Sequence, residues 1–156
     1  MKNQTCCFTG HRKIPPERYE VIAERLRCQI TALIHQGVLY FGTRGALGFD
    51  TMAARSVLEL RELYPQIRLI LVLPCKKQTR GWSDADVVMY KRIKKACDKY
   101  VYISDAYTSD CMYKRNRHLV NFSSYCICYL TKRTGGTAYT VDYAKKRGLT
   151  VINLAD

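Results

Sequence analysis

The sequence predicts an α/β fold, a Rossmann-like three-layer sandwich with a mostly parallel six-stranded sheet. Short apolar runs alternate with amphipathic segments along the whole chain, and this alternation is typical of parallel sheets with helical crossovers. The run Ile67–Leu73 is almost continuously apolar, as expected for a strand covered on both faces. Glycine-rich turns follow two of the predicted strands, which favours ligand binding at one edge of the sheet.

Each predicted element has a local reason in the sequence. The first helix opens at Pro15 and Pro16, because proline suits the first helical turn, and it ends at Gly37. Later helices begin after Gly48, at Ser83 or Asp84 as N-cap, at Cys111 and at Ala138. The strands are short apolar runs bounded by glycine, proline or polar residues. They are Cys6–Thr9, Val38–Phe41, Ile67–Leu73, Tyr100–Ile103, Tyr125–Leu130 and Thr150–Leu154.

The length and the net charge limit the classes of protein to which the chain can belong. The chain has 156 residues and a formal net charge of +13. This length fits one domain, residues 1–156, and the basic balance favours an anionic partner such as a nucleotide, a nucleic acid or a membrane surface. No apolar stretch reaches about 18 residues, so no transmembrane helix is expected. The apolar N-terminal part is too short for a signal peptide, and we expect a cytoplasmic protein with no membrane partner.

The eight cysteines predict free thiols instead of a disulfide framework. Cys6, Cys7, Cys126 and Cys128 lie in strand-like runs, where a free cysteine acts as a small hydrophobe. The spacing of Cys126 and Cys128 does not suit a zinc site and no second pair follows, so we predict no metal site.

Two glycine-rich turns stand where predicted strands lead into helices, at Gly42 to Asp50 and at Thr134 to Thr137. Backbone N–H groups and the helix dipole favour an anion at such positions. Neither turn is a P-loop or a strict G-x-G-x-x-G motif, but together they predict a phosphate site. Asp50 is suited to accept a hydrogen bond from a sugar hydroxyl; the alternative is a favourable acid in the first helical turn.

Other loops add polar side chains to the same edge of the sheet. Thr9-Gly10-His11-Arg12 offers close backbone approach at Gly10 and a forked phosphate contact at Arg12; the alternative is a tight turn with a solvated arginine. Trp82 is suited to stacking on a base or to packing at the domain edge. The cations predicted to line the crevice are Lys76, Lys77, Arg80, Arg115, Lys132 and Arg133. The basic residues on the helices are solvated charge or, alternatively, a nucleic-acid track.

These segments together resemble the SLOG (SMF/DprA–LOG) superfamily, in particular its small YpsA-like bacterial proteins, which begin with Thr-Gly-His-Arg. The resemblance spans nearly the whole chain in the right order. It is carried by Thr9–Arg12, by the Gly-Ala-x-Gly-Phe-Asp-x-x-Ala-Ala signature at Gly45–Ala54, by Pro74, Gln78 and Trp82, by Arg115-Asn116, and by the Gly-Gly-Thr turn Gly135–Thr137.

The resemblance implies a Rossmann-like fold that binds a nucleotide or an ADP-ribose-like ligand, with no required cofactor, in proteins that are often homodimers. Its Lonely-Guy branch hydrolyses nucleoside monophosphates with an arginine and a glutamate. Arg115 resembles that arginine, but the glutamate position holds Thr140, which cannot supply a carboxylate. Asp50, Asp105 and Asp110 are the acids that would have to substitute. Arg44 stands where relatives commonly carry glycine.

Three functions follow as hypotheses. The first is a nucleotide-binding sensor or regulator without strong catalysis. The second is a nucleoside-monophosphate N-glycosidase, and the third is a single-stranded DNA-binding protein. The predicted ligand-binding residues are Thr9, Gly10, His11, Arg12, Gly42, Arg44, Gly45, Gly48, Asp50, Gln78, Trp82, Arg115, Asn116, Gly135, Gly136 and Thr137.

Overall fold

The computed structural model describes residues 1–156 and begins with a short 3-10 helix, Lys2–Gln4. The strands are β1 (Thr5–Gly10), β2 (Tyr40–Thr43), β3 (Arg68–Leu73), β4 (Lys99–Tyr102), β5 (Tyr125–Tyr129) and β6 (Thr150–Asn153). The helices are α1 (Pro16–His35), α2 (Phe49–Leu63), α3 (Asp84–Ala96), α4 (Cys111–Asn121) and α5 (Gly136–Lys146). None of these helices combines the length and the apolarity that crossing a membrane requires.

The six strands form one sheet in the order β4-β3-β2-β1-β5-β6. Every neighbouring pair is parallel, which confirms the predicted fold class. The strand β1 lies inside the sheet, with Cys7 opposite Gly42 of β2 and opposite Cys126 of β5. The chain order reverses between these two neighbours, and a crevice opens at such a switch point, beyond the carboxyl ends of the strands.

Two apolar cores, one on each face of the sheet, complete the three layers. The larger core joins the sheet to α1, α2 and α3 and includes Phe8, Phe41 and Phe49. The smaller core joins the sheet to α4 and α5 and includes Val120 and Val141. All eight cysteines are free, as predicted, and the four in β1 and β5 are fully buried.

The second strand differs from the prediction by two residues. Gly37 has a φ of +97°, and the Val38 N–H donates to the Leu33 carbonyl oxygen at 3.0 Å. Val38 therefore belongs to the turn that follows α1, and pairing with the neighbouring strands starts only at Tyr40. As a consequence Gly42 is a strand residue with Leu119 packed against it, and it is not part of the turn predicted from the sequence.

Candidate functional site

A cleft of about 800 Å³ opens at the carboxyl edge of the sheet. Its lining comes from the loops after β1, β2, β3, β4 and β5 and from the first turns of α4 and α5. This volume lies in the range of pockets that hold small molecules. The loops that the sequence placed at this edge therefore do meet around one cavity.

The cleft is strongly positive. Its lining includes arginine and lysine at six positions and no aspartate or glutamate. Such a surface attracts anions, because low-dielectric walls focus the field of like charges. The cations are Arg12, Arg44, Lys77, Arg80, Arg115 and Lys132.

Arg115 is a buried cation that forms no ion pair with a carboxylate. Its residue is only 4% exposed. Its Nε donates to the Asn116 side chain at 3.3 Å and its Nη1 to the Arg44 carbonyl oxygen at 3.4 Å. Burial, followed by the nearby charge of Arg44, lowers the pKa of Arg115 to about 9. The guanidinium thus carries a desolvation cost that an anion in the cleft would offset.

Arg44 by contrast is fully engaged with the protein. Its Nη2 lies 2.7 Å from Oδ1 of Asp50 and also donates to the Gly10 carbonyl oxygen at 2.8 Å. Its backbone N–H donates to Oδ2 of Asp50 at 2.8 Å. Asp50 is fully buried, and its charge raises the pKa of Arg44 although burial opposes the shift. This pair ties the turn after β2 to the end of β1.

Hydrogen bonds fix the orientation of His11 at the cleft wall. Its Nε2 accepts from the Thr131 N–H at 2.9 Å, so the proton of the neutral ring is on Nδ1. Burial, then the charges of Lys132 and Arg44, lower the pKa of His11. The imidazole is therefore neutral near pH 7 and offers one N–H to a ligand.

Gly48 holds the first two loops together. Its φ is +77°, and a Cβ at this position would lie 2.1 Å from the Arg12 carbonyl oxygen. The neighbouring Phe49 N–H donates to the His11 carbonyl oxygen at 3.1 Å. The segment before α1 is thus fixed on the start of α2, and this contact needs a residue without a side chain.

Gly48→Ala is expected to lower the free energy of unfolding by roughly 2–3 kcal/mol, since it adds a backbone clash to the strain of a positive φ. Gly81→Ala is the matched control: Gly81 has a φ of +84° but open space where its Cβ would lie. We expect about 1 kcal/mol there. Urea unfolding monitored by circular dichroism measures both values, and equal losses would contradict the clash.

Trp82 both lines the cleft and packs against the protein. Its ring meets Tyr90 edge to face, with centroids 5.5 Å apart. Nearby, Nε2 of Gln78 donates to the Gly45 carbonyl oxygen at 3.2 Å, while its Oε1 is buried without a partner. Trp82 therefore packs at the domain edge, against Tyr90, and also borders the cavity, where a base could stack on it. The two roles predicted for this residue are compatible.

The start of α5 forms the opposite wall of the cleft. Gly135, with a φ of +99°, precedes the helix, and no side chain caps its first turn. The N–H groups of that turn and the helix dipole thus favour an anion. Thr140 is buried, and its hydroxyl donates to the Gly136 carbonyl oxygen at 2.9 Å, so it lies outside the lining.

Most of the predicted ligand-binding residues meet at the cleft. Those in its lining are Gly10, His11, Arg12, Arg44, Gln78, Trp82, Arg115, Gly135, Gly136 and Thr137. The others lie behind the lining, where they pack or hydrogen-bond within the protein. They are Thr9, Gly42, Gly45, Gly48, Asp50 and Asn116. Contact with a ligand stays a prediction for the first group.

Some lining residues carried no local signal in the sequence. Tyr107 and Met112 border the cleft, but single aromatic and apolar residues have many structural roles, whereas Ala46 and Leu47, also in the lining, lie within the predicted glycine-rich turn. Among the cations predicted for the crevice, only Lys76 and Arg133 are outside the lining. Neither Asp105 nor Asp110 lines the cleft. The carboxylate of Asp110 lies 3.4 Å from Lys114 and accepts from Thr108 at 3.0 Å.

The fold and the cleft define a class: Rossmann-like α/β domains with a positively charged crevice at the switch point of a parallel sheet. A family model described as YpsA, the YspA SLOG family, matches residues 7–151. The chain therefore belongs to the YpsA SLOG family.

Two curated relatives are named UPF0398 proteins. A UPF0398 protein of Halalkalibacterium halodurans is 32% identical over 122 residues, which are 76% of this chain and 65% of that protein. A UPF0398 protein of Bacillus thuringiensis is 29% identical over 132 residues, or 83% of this chain and 72% of that protein. The chain thus spans about two thirds of the length of these relatives.

Two of the solved structures with the same fold are DNA processing proteins. DNA processing protein A from Helicobacter pylori, described with a single-stranded DNA binding mode, superposes with a TM-score of 0.69 at 16% identity, over 97% of this chain and 65% of that chain. DNA processing protein A (DprA) from Streptococcus pneumoniae gives 0.70 at 16% identity, over 97% of this chain and 50% of that chain. At this identity the likeness establishes the fold alone.

Proposed function

We propose that the protein binds a nucleotide or a nucleotide-derived ligand in the cleft and acts as a sensor or regulator without strong catalysis. The observation that carries this proposal is Arg115, a buried cation without an ion-pair partner in a lining with six cations and no acid. Burying such a charge is costly unless an opposite charge offsets it, and phosphate is the anion that arginine forks and helix N-termini hold best.

The phosphate is placed between Arg115, the loop of His11 and Arg12, and the start of α5. These groups all line the cleft and supply guanidinium, imidazole and backbone donors. The base is placed against Trp82, whose ring is held by Tyr90. Stacking on such a ring tolerates any base. We therefore expect the affinity to depend more on the presence of a phosphate than on the identity of the base.

The lack of an acid in the cleft favours binding over N-glycosidic hydrolysis. Glycoside cleavage usually needs a carboxylate to stabilise the positive charge that develops on the sugar. Asp50 is held by Arg44, and the hydroxyl of Thr140 by Gly136. A phosphoribohydrolase would therefore need an acid from outside the cleft described here.

Calorimetric titration tests the proposal. The four nucleoside 5′-monophosphates, their diphosphates and triphosphates, and ADP-ribose are titrated into the protein, with the uncharged nucleosides as the matched control. We expect at least one phosphate-bearing ligand to bind with a Kd of about 1–100 μM, and its nucleoside to bind roughly 100-fold more weakly. No heat from any ligand in the panel would overturn the proposal.

Single-stranded DNA is the second candidate, favoured by exposed tyrosines beside the cleft. Tyr107 borders the cavity, and Tyr113 and Tyr139 are exposed with ring centroids 5.0 Å apart. Arg117 donates to the Tyr139 hydroxyl at 3.1 Å. Aromatic rings interleaved with cations are typical of strand binding, and the Helicobacter pylori neighbour is described as binding single-stranded DNA.

Fluorescence anisotropy with a labelled oligothymidine separates the two candidates. Strand binding that persists at about 150 mM salt, with a steep salt dependence, would favour DNA as the ligand. Binding that disappears at this salt, while a nucleotide still binds, would favour the small molecule.

A further inference from the structure

A second hollow, of about 570 Å³, lies beside the cleft at the start of α1. Its walls are Arg12, Lys13, Ile14, Pro15, Pro16, Tyr19 and Gly48. Arg12 is the one residue that lines both this hollow and the cleft. The two cavities therefore meet at Arg12.

The position of Arg12 at this boundary is fixed by its backbone. Gly48 packs against the Arg12 main chain, and the adjacent His11 carbonyl accepts from Phe49. The Arg12 side chain, however, is exposed, and it makes no hydrogen bond or ion pair within the protein. A guanidinium that makes no hydrogen bond or ion pair within the protein, on a backbone held in place between the two cavities, is suited to bind a phosphate that both cavities share.

The hollow beyond Arg12 is apolar and stiff. Pro15 and Pro16 have fixed φ angles, and Ile14 is anchored on the larger core. Tyr19 is 40% exposed, although it lies on the first turn of a helix whose other apolar residues are mostly buried. A tyrosine ring in the same hollow as two prolines offers a flat apolar surface at low conformational cost, as bases require for stacking.

We propose that the hollow binds a second nucleoside, joined through phosphate at Arg12 to the nucleoside in the cleft. This inference rests on the proposed function and extends it: the ligand class is two nucleosides linked by phosphate. The hollow is lined by two cations, Arg12 at its boundary with the cleft and Lys13 next to it in the chain. Their positive charge favours a phosphate-bearing ligand over an apolar one. Both a small dinucleotide and a nucleic-acid strand present this chemistry.

The test compares ligands of matched charge by calorimetry. In adenine, guanine, cytosine and uracil series, each nucleoside 5′-monophosphate is titrated beside the 5′,5′-dinucleoside diphosphate of the same base. We expect the two-nucleoside ligand to bind about tenfold more tightly in at least one series. Tyr19→Ala is expected to remove this gain while leaving monophosphate affinity within about twofold. Tyr19→Phe should retain the gain. Tyr100→Ala, an exposed tyrosine that lines neither cavity, is the control for surface aromatics.

The outcomes distinguish a failure of the proposed function from a failure of the second subsite. If no phosphate-bearing ligand of the nucleotide panel binds, the proposed function itself fails. If monophosphates bind but neither the two-nucleoside ligands nor a short single-stranded oligonucleotide binds more tightly, or if the gain survives in Tyr19→Ala, the second subsite is refuted. A short single-stranded oligonucleotide forms the last arm of the experiment. A gain that depends on Tyr19 and appears only with this strand supports the subsite and assigns it to nucleic acid.

Discussion

Replacing Arg115 by methionine is expected to abolish nucleotide binding and at the same time to make the fold more stable. Arg115 is 4% exposed and has no carboxylate partner. In the ligand-free protein its charge pays a desolvation cost, and an apolar side chain of similar length removes that cost, for an expected gain of about 1–3 kcal/mol. Loss of a charge-assisted phosphate contact in a buried site should lower the affinity at least about 100-fold.

Two measurements on Arg115→Met check this pair of effects. Urea unfolding gives the stability, and calorimetry with the nucleotide that binds best gives the affinity. Arg117→Met is the matched control, because it removes the same charge from the same helix, two residues along, at a position outside the lining. Its affinity should stay within about threefold of the parent protein. A variant that lost stability but kept its affinity would refute the assignment of Arg115 to the phosphate.

Asp50→Asn is expected to give the largest loss of stability of any single change considered. The substitution keeps the size of the side chain but leaves the Arg44 guanidinium buried without a counter-charge, close enough to Arg115 for the two charges to interact. Removing one partner of a buried ion pair typically costs about 3–5 kcal/mol. For a chain of this length we expect the midpoint of thermal unfolding to fall by roughly 10 °C.

The control for Asp50→Asn is Glu59→Gln, since Glu59 forms a surface ion pair with Arg27 at 3.2 Å. Both of these side chains are about half exposed or more, and we expect less than about 1 kcal/mol. The double change Arg44→Met with Asp50→Leu should recover most of the lost stability, because no charge is then left unpaired. An Asp50→Asn protein as stable as the Glu59→Gln protein would contradict a structural role for the pair.

The Asp50→Asn substitution also concerns the loops that line the cleft. The Arg44–Asp50 pair joins the turn after β2 to the Gly10 carbonyl oxygen at the end of β1. Two of the loops that line the cavity are therefore fixed by one buried carboxylate. If Asp50→Asn loosens this junction, nucleotide affinity should fall together with stability, in contrast to Arg115→Met, where the two quantities move in opposite directions.

The sequence alone determined the order and kind of the elements. The apolar run ending at Leu73 has to be buried on both faces, and a helix is predicted over Cys111–Asn121; both elements lie where the sequence predicted them. Alternating strands and helices leave a parallel sheet as the economical arrangement. A crevice at the carboxyl edge then follows from topology, and the loops there include the predicted Gly10, Arg12 and Gly136.

Only the tertiary structure decided what each charged residue does. In the sequence Arg44, Asp50 and Arg115 are three charges in loops and first turns, each suited to a ligand. In the fold Asp50 forms a buried ion pair with Arg44, whereas Arg115 lines the cleft without a carboxylate partner. The second hollow likewise depends on how Gly48 sets the backbone of Arg12. Pairing of charges depends on distances across the chain and on burial, and these are properties of the packed protein that local patterns do not contain.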